Sequence, residues 1–296
     1  MAPASRSAGL LTGDFTCEWQ YAAVPDLRAT TLVEAPVRTV AGALLDGRLL
    51  ASSVRGLGVR ISGGSGILHV GAELFGSVGP VHGKLVVTRA DVTGVAAALV
   101  DGPLPMLALT TDLVETGGGT LVVDAVEWTS PGGPFGRLAD VVVGRGLALK
   151  ILETRAGAVS RRASQLVNAD VVVGAAIVRD GKLLVQQRDF PVEAAGKWEV
   201  PGGRVDAGES EVAALARECA EELGVEIVVG EQVGPDVPLR AELLLRVFAA
   251  SLGSGEPEAR EHRAVRWIGA DDLDDLDWLP ADRVLVPGLR DLLFST

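Results

Sequence analysis

Cysteine, histidine and long apolar runs are all scarce in this chain of 296 residues. Cys17 and Cys219 are far apart, so the sequence predicts neither a disulfide framework nor a zinc site. His69, His82 and His262 stand alone without metal-ligand spacing, and we expect them to be structural or exposed. No stretch reaches the roughly 18 uncharged apolar residues of a membrane helix. Because the N-terminus also lacks an apolar run of signal-peptide length, we expect a cytoplasmic protein with no membrane partner.

Charge divides the chain into two parts. The net charge of −12 belongs to residues 166–296, which hold 25 acidic and 13 basic residues, whereas residues 1–165 hold 14 of each. This asymmetry, and a length about twice that of a common domain, predict two domains. The acidic part is a poor partner for nucleic-acid polymers, which bind basic surfaces. We expect an extension over 1–24, one domain over 25–165 and another over 166–296, joined in the weakly periodic stretch that begins at Arg161.

Hydrophobic spacing and turn residues predict an α+β first domain and an α/β second domain. The expected elements of the first are a strand over 30–36, a helix over 37–45, strands over 57–61 and 84–89, a hairpin of 105–115 and 120–130, and a long helix over 135–162. Those of the second are a hairpin of 170–178 and 182–187, a helix over 210–223 stopped by Gly224, strands over 225–229, 241–250 and 263–268, and a closing helix over 281–294.

The helix predicted over 210–223 carries a motif with fixed spacing. Gly203 is followed after five residues by Glu209, and after seven more by Arg217-Glu218, an apolar residue, any residue, Glu221-Glu222, any residue, Gly224 and an apolar residue. Cys219 fills the apolar position, so we expect it in the core. A solvated acidic helix face is the ordinary explanation of such residues, but a chance match to the whole pattern is on the order of one in a million at average composition.

The motif glutamates predict a site for a divalent cation. Glu218, Glu221 and Glu222 are related by i, i+3 and i+4, so their carboxylates should converge on one patch. Carboxylates about 5 Å apart repel each other by roughly 3 kcal/mol per pair at an effective dielectric constant of 20. A half-buried cluster therefore needs a cation, and oxygen ligands favour Mg²⁺ or Mn²⁺. The glycines after Pro201 allow close backbone approach, so the Gly202 carbonyl could be a further ligand.

These residues, together with the run Gly196–Gly203, resemble the signature of Nudix hydrolases in the MutT and CTP-pyrophosphohydrolase branch. The resemblance covers about residues 169–296 and implies an α/β/α sandwich with a mixed sheet. It implies that Gly202, Glu218, Glu221 and Glu222 bind the metal and that Arg217 pairs with Glu209 and orients the glutamates. A later glutamate completes the site in relatives. The candidates are Glu256, Glu258 and Glu261, of which Glu261 fits the pattern best.

Three further residues are candidates for substrate binding. Arg188 matches a strand-end arginine that lies near the nucleotide in relatives, although a surface arginine is an equal alternative. Asp282 follows Pro280-Ala281 at the position that contacts the base in this branch. An ionised Asp282 would only accept hydrogen bonds and so select a base edge with an amino donor, such as cytosine, unless it merely caps the last helix. Trp278 either stacks on the base or fills the core.

The first domain resembles SRPBCC proteins, the Bet v 1-like, polyketide cyclase and START-type helix-grip family. The likeness rests on the run 31–37 before a helix, on the strand 119–128 and on the run 134–140 that enters a long helix. It implies a curved antiparallel sheet around a long C-terminal helix, over an apolar cavity that binds hydrophobic small molecules. The paired histidines of some relatives are absent at 107–111, which argues against cyclase-like catalysis.

The combined prediction is an enzyme, a Mg²⁺-dependent nucleoside triphosphate pyrophosphohydrolase. It would convert an NTP or dNTP, with a cytosine or oxidised base, to a monophosphate and pyrophosphate, and carry an N-terminal domain for a hydrophobic ligand. Glu221 or Glu222 would be the general base. The alternatives are a Nudix hydrolase of a nucleoside diphosphate conjugate such as a nucleotide sugar, and a ligand or nucleotide sensor without turnover. The oligomeric state stays open.

Overall fold

The computed structural model describes residues 26–64, 66–129 and 144–295. The predicted extension over 1–24 lies outside these residues, as does the first part of the helix predicted from 135. Within the described ranges, no helix is both long and apolar enough to cross a membrane.

The N-terminal half is a curled antiparallel sheet of seven strands with helices packed against it. Its strand order is β1-β7-β6-β5-β4-β3-β2. The strands are β1 (Asp26–Val33), β2 (Val59–Gly63), β3 (Glu73–Val78), β4 (Val81–Asp91), β5 (Gly94–Asp101), β6 (Met106–Thr116) and β7 (Gly119–Thr129), and the helices are α1 (Val37–Leu45), α2 (Gly47–Val54) and α3 (Arg145–Leu166). The predicted curved sheet and long helix are thus both present, whereas membership of the helix-grip family stays a prediction.

Buried and more exposed side chains alternate along β7, so one face of the sheet is turned towards the core. Val122, Val126 and Trp128 point inward and are buried, as expected for a strand with one covered side. Helix α3 packs against β1, β7 and α1, and Leu152 on α3 joins the apolar cluster around Trp128.

The C-terminal half contains a mixed sheet flanked by helices. Its main path is β10-β9-β8-β13-β12, with β11 paired to β8 and β14 paired to β9, and only the β8–β13 pairing is parallel among the described strands. The strands are β8 (Asp170–Arg179), β9 (Lys182–Gln187), β10 (Trp198–Glu199), β11 (Gly202–Arg204), β12 (Glu226–Arg240), β13 (Leu243–Ser254) and β14 (Ala264–Ile268), and the helices are α4 (Glu211–Leu223), α5 (Pro280–Arg283) and α6 (Val286–Ser295).

Two expected segment ends differ from the structure. The helix expected to end at 162 continues to Leu166, and residues 167–169 separate it from β8. The domain boundary expected between residues 165 and 166 stays a prediction. The guanidinium of Arg162 donates to the carbonyls of Arg240 and Ala241, so the helix end is held by the C-terminal half. The single closing helix is broken between α5 and α6 because Pro287 has no N–H to bond the preceding turn.

The two halves share one apolar core. Val40 and Leu44 of α1 belong to the same buried cluster as Val237 and Leu285 of the C-terminal half. Helix α1 lies directly on β12, where a side chain at Gly42 would come within 2.0 Å of the Asp236 carbonyl.

A polar network crosses the same interface. The buried carboxylate of Asp236 accepts from the Thr39 hydroxyl at 2.8 Å and from Arg246 Nε at 2.9 Å. Arg246 also pairs with Glu211 in the first turn of α4. A chain of contacts therefore runs from α1 to the helix that carries the sequence motif.

Candidate active site

Helix α4 is fixed at both ends. The Ser210 hydroxyl accepts from the Ala213 N–H at 3.2 Å, and Gly224 ends the helix in the left-handed conformation at φ 72°. The segment after β13 covers this end, because the backbone N–H of Arg260 donates to the Glu222 carbonyl. The apolar face, which includes Leu215 and Cys219, is buried, and burial raises the pKa of the Cys219 thiol to about 12. The prediction that Cys219 is a core residue is confirmed.

Arg217 gathers three of the motif glutamates. Its Nη2 lies 3.1 Å from Glu209, and its Nη1 lies 3.0 Å from Glu218 and 3.2 Å from Glu221. These hydrogen bonds raise the pKa of Arg217 and lower the pKa of Glu209. The expected pairing of Arg217 with Glu209 is present, and one guanidinium nitrogen bridges two carboxylates of the helix.

The absence of a side chain at Gly203 makes room for Glu218. A Cβ atom on Gly203 would come within 2.2 Å of the carboxyl carbon of Glu218. The neighbouring Gly202 has φ 149°, and a Cβ there would meet the Val173 carbonyl at 2.1 Å. Both glycines are therefore required by close approach, one to a carboxylate and one to a neighbouring strand.

Glu222 turns into the protein, away from Glu221. Its carboxylate accepts from Gln186 Nε2 at 2.9 Å and from the Gly202 N–H at 3.3 Å. Burial raises the pKa of Glu222 above its ordinary value, and the bond from Gln186 opposes this shift. The carboxylate of Glu221, in contrast, is 55% exposed.

A polar chain continues from Glu222 under the site. His262 Nε2 lies 3.1 Å from Gln186 Nε2 and 3.0 Å from Glu199 Oε1, with the proton positions set by the histidine tautomer. Arg188 Nε donates to the same Glu199 carboxylate at 2.8 Å. Gln186 Oε1 and His262 Nδ1 are buried without a hydrogen-bond partner among the described residues. Arg188 is thus bound into the site and is not a free surface arginine.

Asp282 and Trp278, the two candidates for base recognition, are both buried. Asp282 is 3% exposed and accepts from the Val200 N–H at 3.0 Å, and it does not cap α6. Burial raises the pKa of Asp282 to about 8, with repulsion by Glu199 adding to the shift. A carboxyl with this raised pKa keeps its proton at neutral pH and can donate as well as accept a hydrogen bond, so the selection of a base with an amino donor stays a prediction. Trp278 is 3% exposed and donates its indole N–H to the Leu273 carbonyl, which is the core-filling alternative.

The structure separates some residues that the sequence analysis placed together. Glu218 and Glu221 both contact Arg217 Nη1, whereas Glu222 accepts hydrogen bonds from other groups. No group of three His, Cys, Asp or Glu side chains is arranged to hold a metal within the described ranges, so a metal bound by all three glutamates stays a prediction. Glu261 is exposed and makes no hydrogen bond or ion pair in the part of the chain that is described, so its role stays a prediction. Glu256 pairs with Arg179, and Glu258 contributes a backbone N–H to the Leu223 carbonyl.

Two residues of the site, Gln186 and Glu199, were not singled out from the sequence. His262, expected to be structural or exposed, has a side chain that is 9% exposed and contacts both of them. Glu199 is buried at the end of β10, between the half-buried Trp198 and the buried Val200, and a carboxylate between two apolar residues was the available signal. His262 had no such signal, because its contact with Glu199 spans 63 residues of sequence.

Comparison with known proteins decides the family of this chain. The sequence profile of the NUDIX domain matches residues 169–289. A Mycobacterium tuberculosis protein named "Putative 8-oxo-dGTP diphosphatase 2" is 54% identical over 116 residues, which are 38% of this chain and 82% of that protein. The chain belongs to the NUDIX family. The prediction of a Nudix-type hydrolase is therefore confirmed.

Other NUDIX proteins are also similar to this part of the chain. The Escherichia coli protein named "CTP pyrophosphohydrolase" is 38% identical over 113 residues, which are 38% of this chain and 84% of that protein. The crystal structure of a MutT NUDIX hydrolase from Burkholderia pseudomallei is 35% identical, covers 40% of this chain and 96% of its own, and has a TM-score of 0.37.

Proposed function

We propose that the NUDIX half hydrolyses a nucleoside or deoxynucleoside triphosphate to a monophosphate and pyrophosphate, using Mg²⁺ or Mn²⁺. The names of the similar proteins, an 8-oxo-dGTP diphosphatase and a CTP pyrophosphohydrolase, support a nucleotide with an oxidised or cytosine base. The observation that carries the proposal is the bridging of Glu218 and Glu221 by a single guanidinium nitrogen of Arg217. Two carboxylates that already share one positive group can share a bound cation.

The residues fit a divalent cation by their chemistry. The donors are the carboxylates of Glu218, Glu221 and Glu222 and the carbonyl of Gly202, an all-oxygen set that suits Mg²⁺ or Mn²⁺. The partnerless Gln186 Oε1 adds a buried acceptor beside Glu222. When bound, such an ion would neutralise charge on the polyphosphate oxygens during hydrolysis.

The chain's own residues would position the reaction. Water attacks one phosphorus atom of the anhydride, the bridging P–O bond breaks, and the water proton passes to a carboxylate. Glu221 is the more exposed candidate for this proton, whereas Glu222 already accepts two hydrogen bonds. Arg217 would hold Glu209 and Glu218 in place, and Arg188 would lie close enough to the site to meet the nucleotide.

For the N-terminal half we propose the binding of a hydrophobic small molecule. A cavity of about 640 Å³ lies between α3 and the curled sheet. This volume is within the range of roughly 300–1,000 Å³ that ligand sites occupy. Its wall is almost entirely apolar, with side chains such as Leu74, Leu107, Val126, Trp128 and Ile151.

Product analysis of the purified chain tests the catalytic proposal. With Mg²⁺ and a panel of canonical and oxidised triphosphates, we expect pyrophosphate and a monophosphate from at least one substrate. If the chain released no pyrophosphate from any triphosphate but cleaved nucleotide sugars to a nucleoside monophosphate and a sugar phosphate, the conjugate alternative would be correct. Nucleotide binding without any product would identify a sensor. Glu231→Gln, an exposed residue outside the motif, is the matched control for the motif variants.

A further inference from the structure

Three of the polar side chains in the wall of the N-terminal cavity form one hydrogen-bonded group. Thr111 and Asp124 face each other on the paired strands β6 and β7, and Arg155 reaches them from α3. The Asp124 carboxylate accepts from the Thr111 hydroxyl at 2.6 Å and from Arg155 Nη1 at 2.5 Å. Arg155 Nη1 also lies 2.8 Å from the Thr111 hydroxyl oxygen. Asp124 is 2% exposed, at an inward position of β7 between Val122 and Val126.

This polar group closes one end of the cavity. Among the described residues, those of α3 that line the cavity run from Leu147 to Arg155, which spans roughly 12 Å along a helix. Beyond Arg155 the wall is closed by Val122, Ala156 and Val159, where no space remains for even a water molecule. A ligand that fills the cavity therefore has an apolar body along α3 and one end beside Arg155.

The hydrogen-bonding capacity of Arg155 is not used up by its neighbours. Of the five N–H donors on a guanidinium, the described residues accept only from Nη1. The side chain of Arg155 is 16% exposed, and guanidinium donors that the described residues leave free at the wall of an apolar cavity favour a ligand that supplies an acceptor. The charge of Arg155 is nevertheless already balanced by Asp124. A carboxylate or phosphate head would add an uncompensated negative charge to an apolar space, which is costly.

We propose that the cavity takes uncharged amphipathic molecules, with an apolar body against α3 and a carbonyl or hydroxyl oxygen that accepts from Arg155. This inference rests on the proposed ligand-binding role of the N-terminal half. It adds the chemical class of the ligand and its orientation: the polar end lies beside Thr111 and Asp124, away from Gly144.

Fluorescence titration of the full chain with three related dyes tests the proposal. The probes are the naphthyl ketone prodan, the same dimethylaminonaphthalene without the ketone, and its carboxylate analogue. For the wild-type chain we expect prodan to bind roughly tenfold more tightly than the ketone-free dye, because it accepts a hydrogen bond from a charged donor. The carboxylate analogue should bind more weakly than prodan. If none of the dyes binds, both the ligand-binding role and this inference are wrong.

Two variants separate the polar anchor from the cavity itself. In Asp124→Leu/Arg155→Met both charges are removed together, so no buried charge is left unpaired, and the preference for prodan over the ketone-free dye should disappear. Arg161→Met is the matched control, since Arg161 is exposed on the same helix and does not line the cavity. A ketone preference that persists in the double variant would refute the anchor while leaving the ligand-binding role intact.

The isosteric variant Asp124→Asn gives an independent result. It keeps an acceptor for Thr111 and Arg155 but removes the negative charge that balances the guanidinium. The carboxylate analogue should then bind at least tenfold more tightly than it does to the wild type. Two results would overturn the proposed uncharged ligand class. One is that the carboxylate analogue binds the Asp124→Asn variant no more tightly than the wild type. The other is that the wild type binds this analogue more tightly than the other two dyes.

Discussion

Replacing Asp282 by asparagine should change how the stability of this protein depends on pH. Asp282 is buried beside Glu199 and forms no ion pair in the part of the chain that is described. Burial raises the pKa of Asp282 from its ordinary 3.8 to about 8, so the carboxyl carries a proton at neutral pH. Asparagine has the same shape, stays uncharged at every pH, and can accept the same hydrogen bond from the Val200 N–H.

The size and sign of the effect follow from proton linkage. Between about pH 4 and pH 8 the folded wild-type chain holds a proton on Asp282 that the unfolded chain releases. The stabilisation that this group contributes is complete below about pH 4 and is lost as the pH rises through about 8. The expected slope is at most about 1.4 kcal/mol per pH unit, which amounts to roughly 6 kcal/mol between the two pKa values.

Urea unfolding followed by tryptophan fluorescence measures this difference, since Trp198 and Trp278 lie close to Asp282 in the fold. The unfolding free energy of Asp282→Asn relative to the wild type should rise by about 1 kcal/mol per pH unit from pH 5 to pH 7. Asp275→Asn, an exposed residue without an ion pair among the described residues, should show a constant difference. Parallel curves for wild type and Asp282→Asn would refute the assignment of a buried, protonated carboxyl.

Three more predictions concern the motif and the shared core. Gly203→Ala places a methyl group where the Glu218 carboxylate lies, so pyrophosphate release should fall about a hundredfold, whereas Gly117→Ala in an open turn should have no effect. Glu221→Gln and Glu222→Gln should each lower the turnover rate by roughly 10²–10⁴-fold with an unchanged circular dichroism spectrum, and mild effects from both would show that the roles are misassigned. Residues 166–296 expressed alone should have a free energy of unfolding in urea at least about 3 kcal/mol below that of the full chain, because the apolar surface under α1 becomes exposed. Equal stability would contradict the shared core.

The sequence correctly predicted the ends of elements that are bounded by neighbouring cap or turn residues. Helix α4 was expected over 210–223 and is found one residue shorter, because Ser210 caps it and Gly224 ends it. The hairpin of β8 and β9 was also expected, with Asp180 and Gly181 in the turn. In each case the residues that start or stop the element are adjacent to it, so tertiary contacts were not needed to place the ends.

Segments whose ends depend on distant contacts were predicted poorly. Strand β12 was expected to end at Val229 but continues to Arg240, with bulges that accommodate Gly234 and two prolines. Helix α3 was expected to end at 162 but continues to Leu166, and the residues that hold Arg162 lie about 80 positions further along the chain. The same limit applies to the site, where the motif placed Glu222 on the correct helix but could not show that it turns inward to Gln186.

Three of the buried carboxylates among the described residues differ in the partners that surround them. Asp124 lies in the cavity against Arg155, and Asp236 lies between the halves against Arg246, so each has a guanidinium and a threonine hydroxyl as partners. Asp282 has no such ion pair among the described residues, and its nearest charged neighbours include another carboxylate, Glu199. A buried acid with a cation can remain charged, whereas one without it keeps its proton. The same residue type therefore acts as a counter-ion in the N-terminal half and at the interface, and as a neutral hydrogen-bonding group beside the NUDIX site.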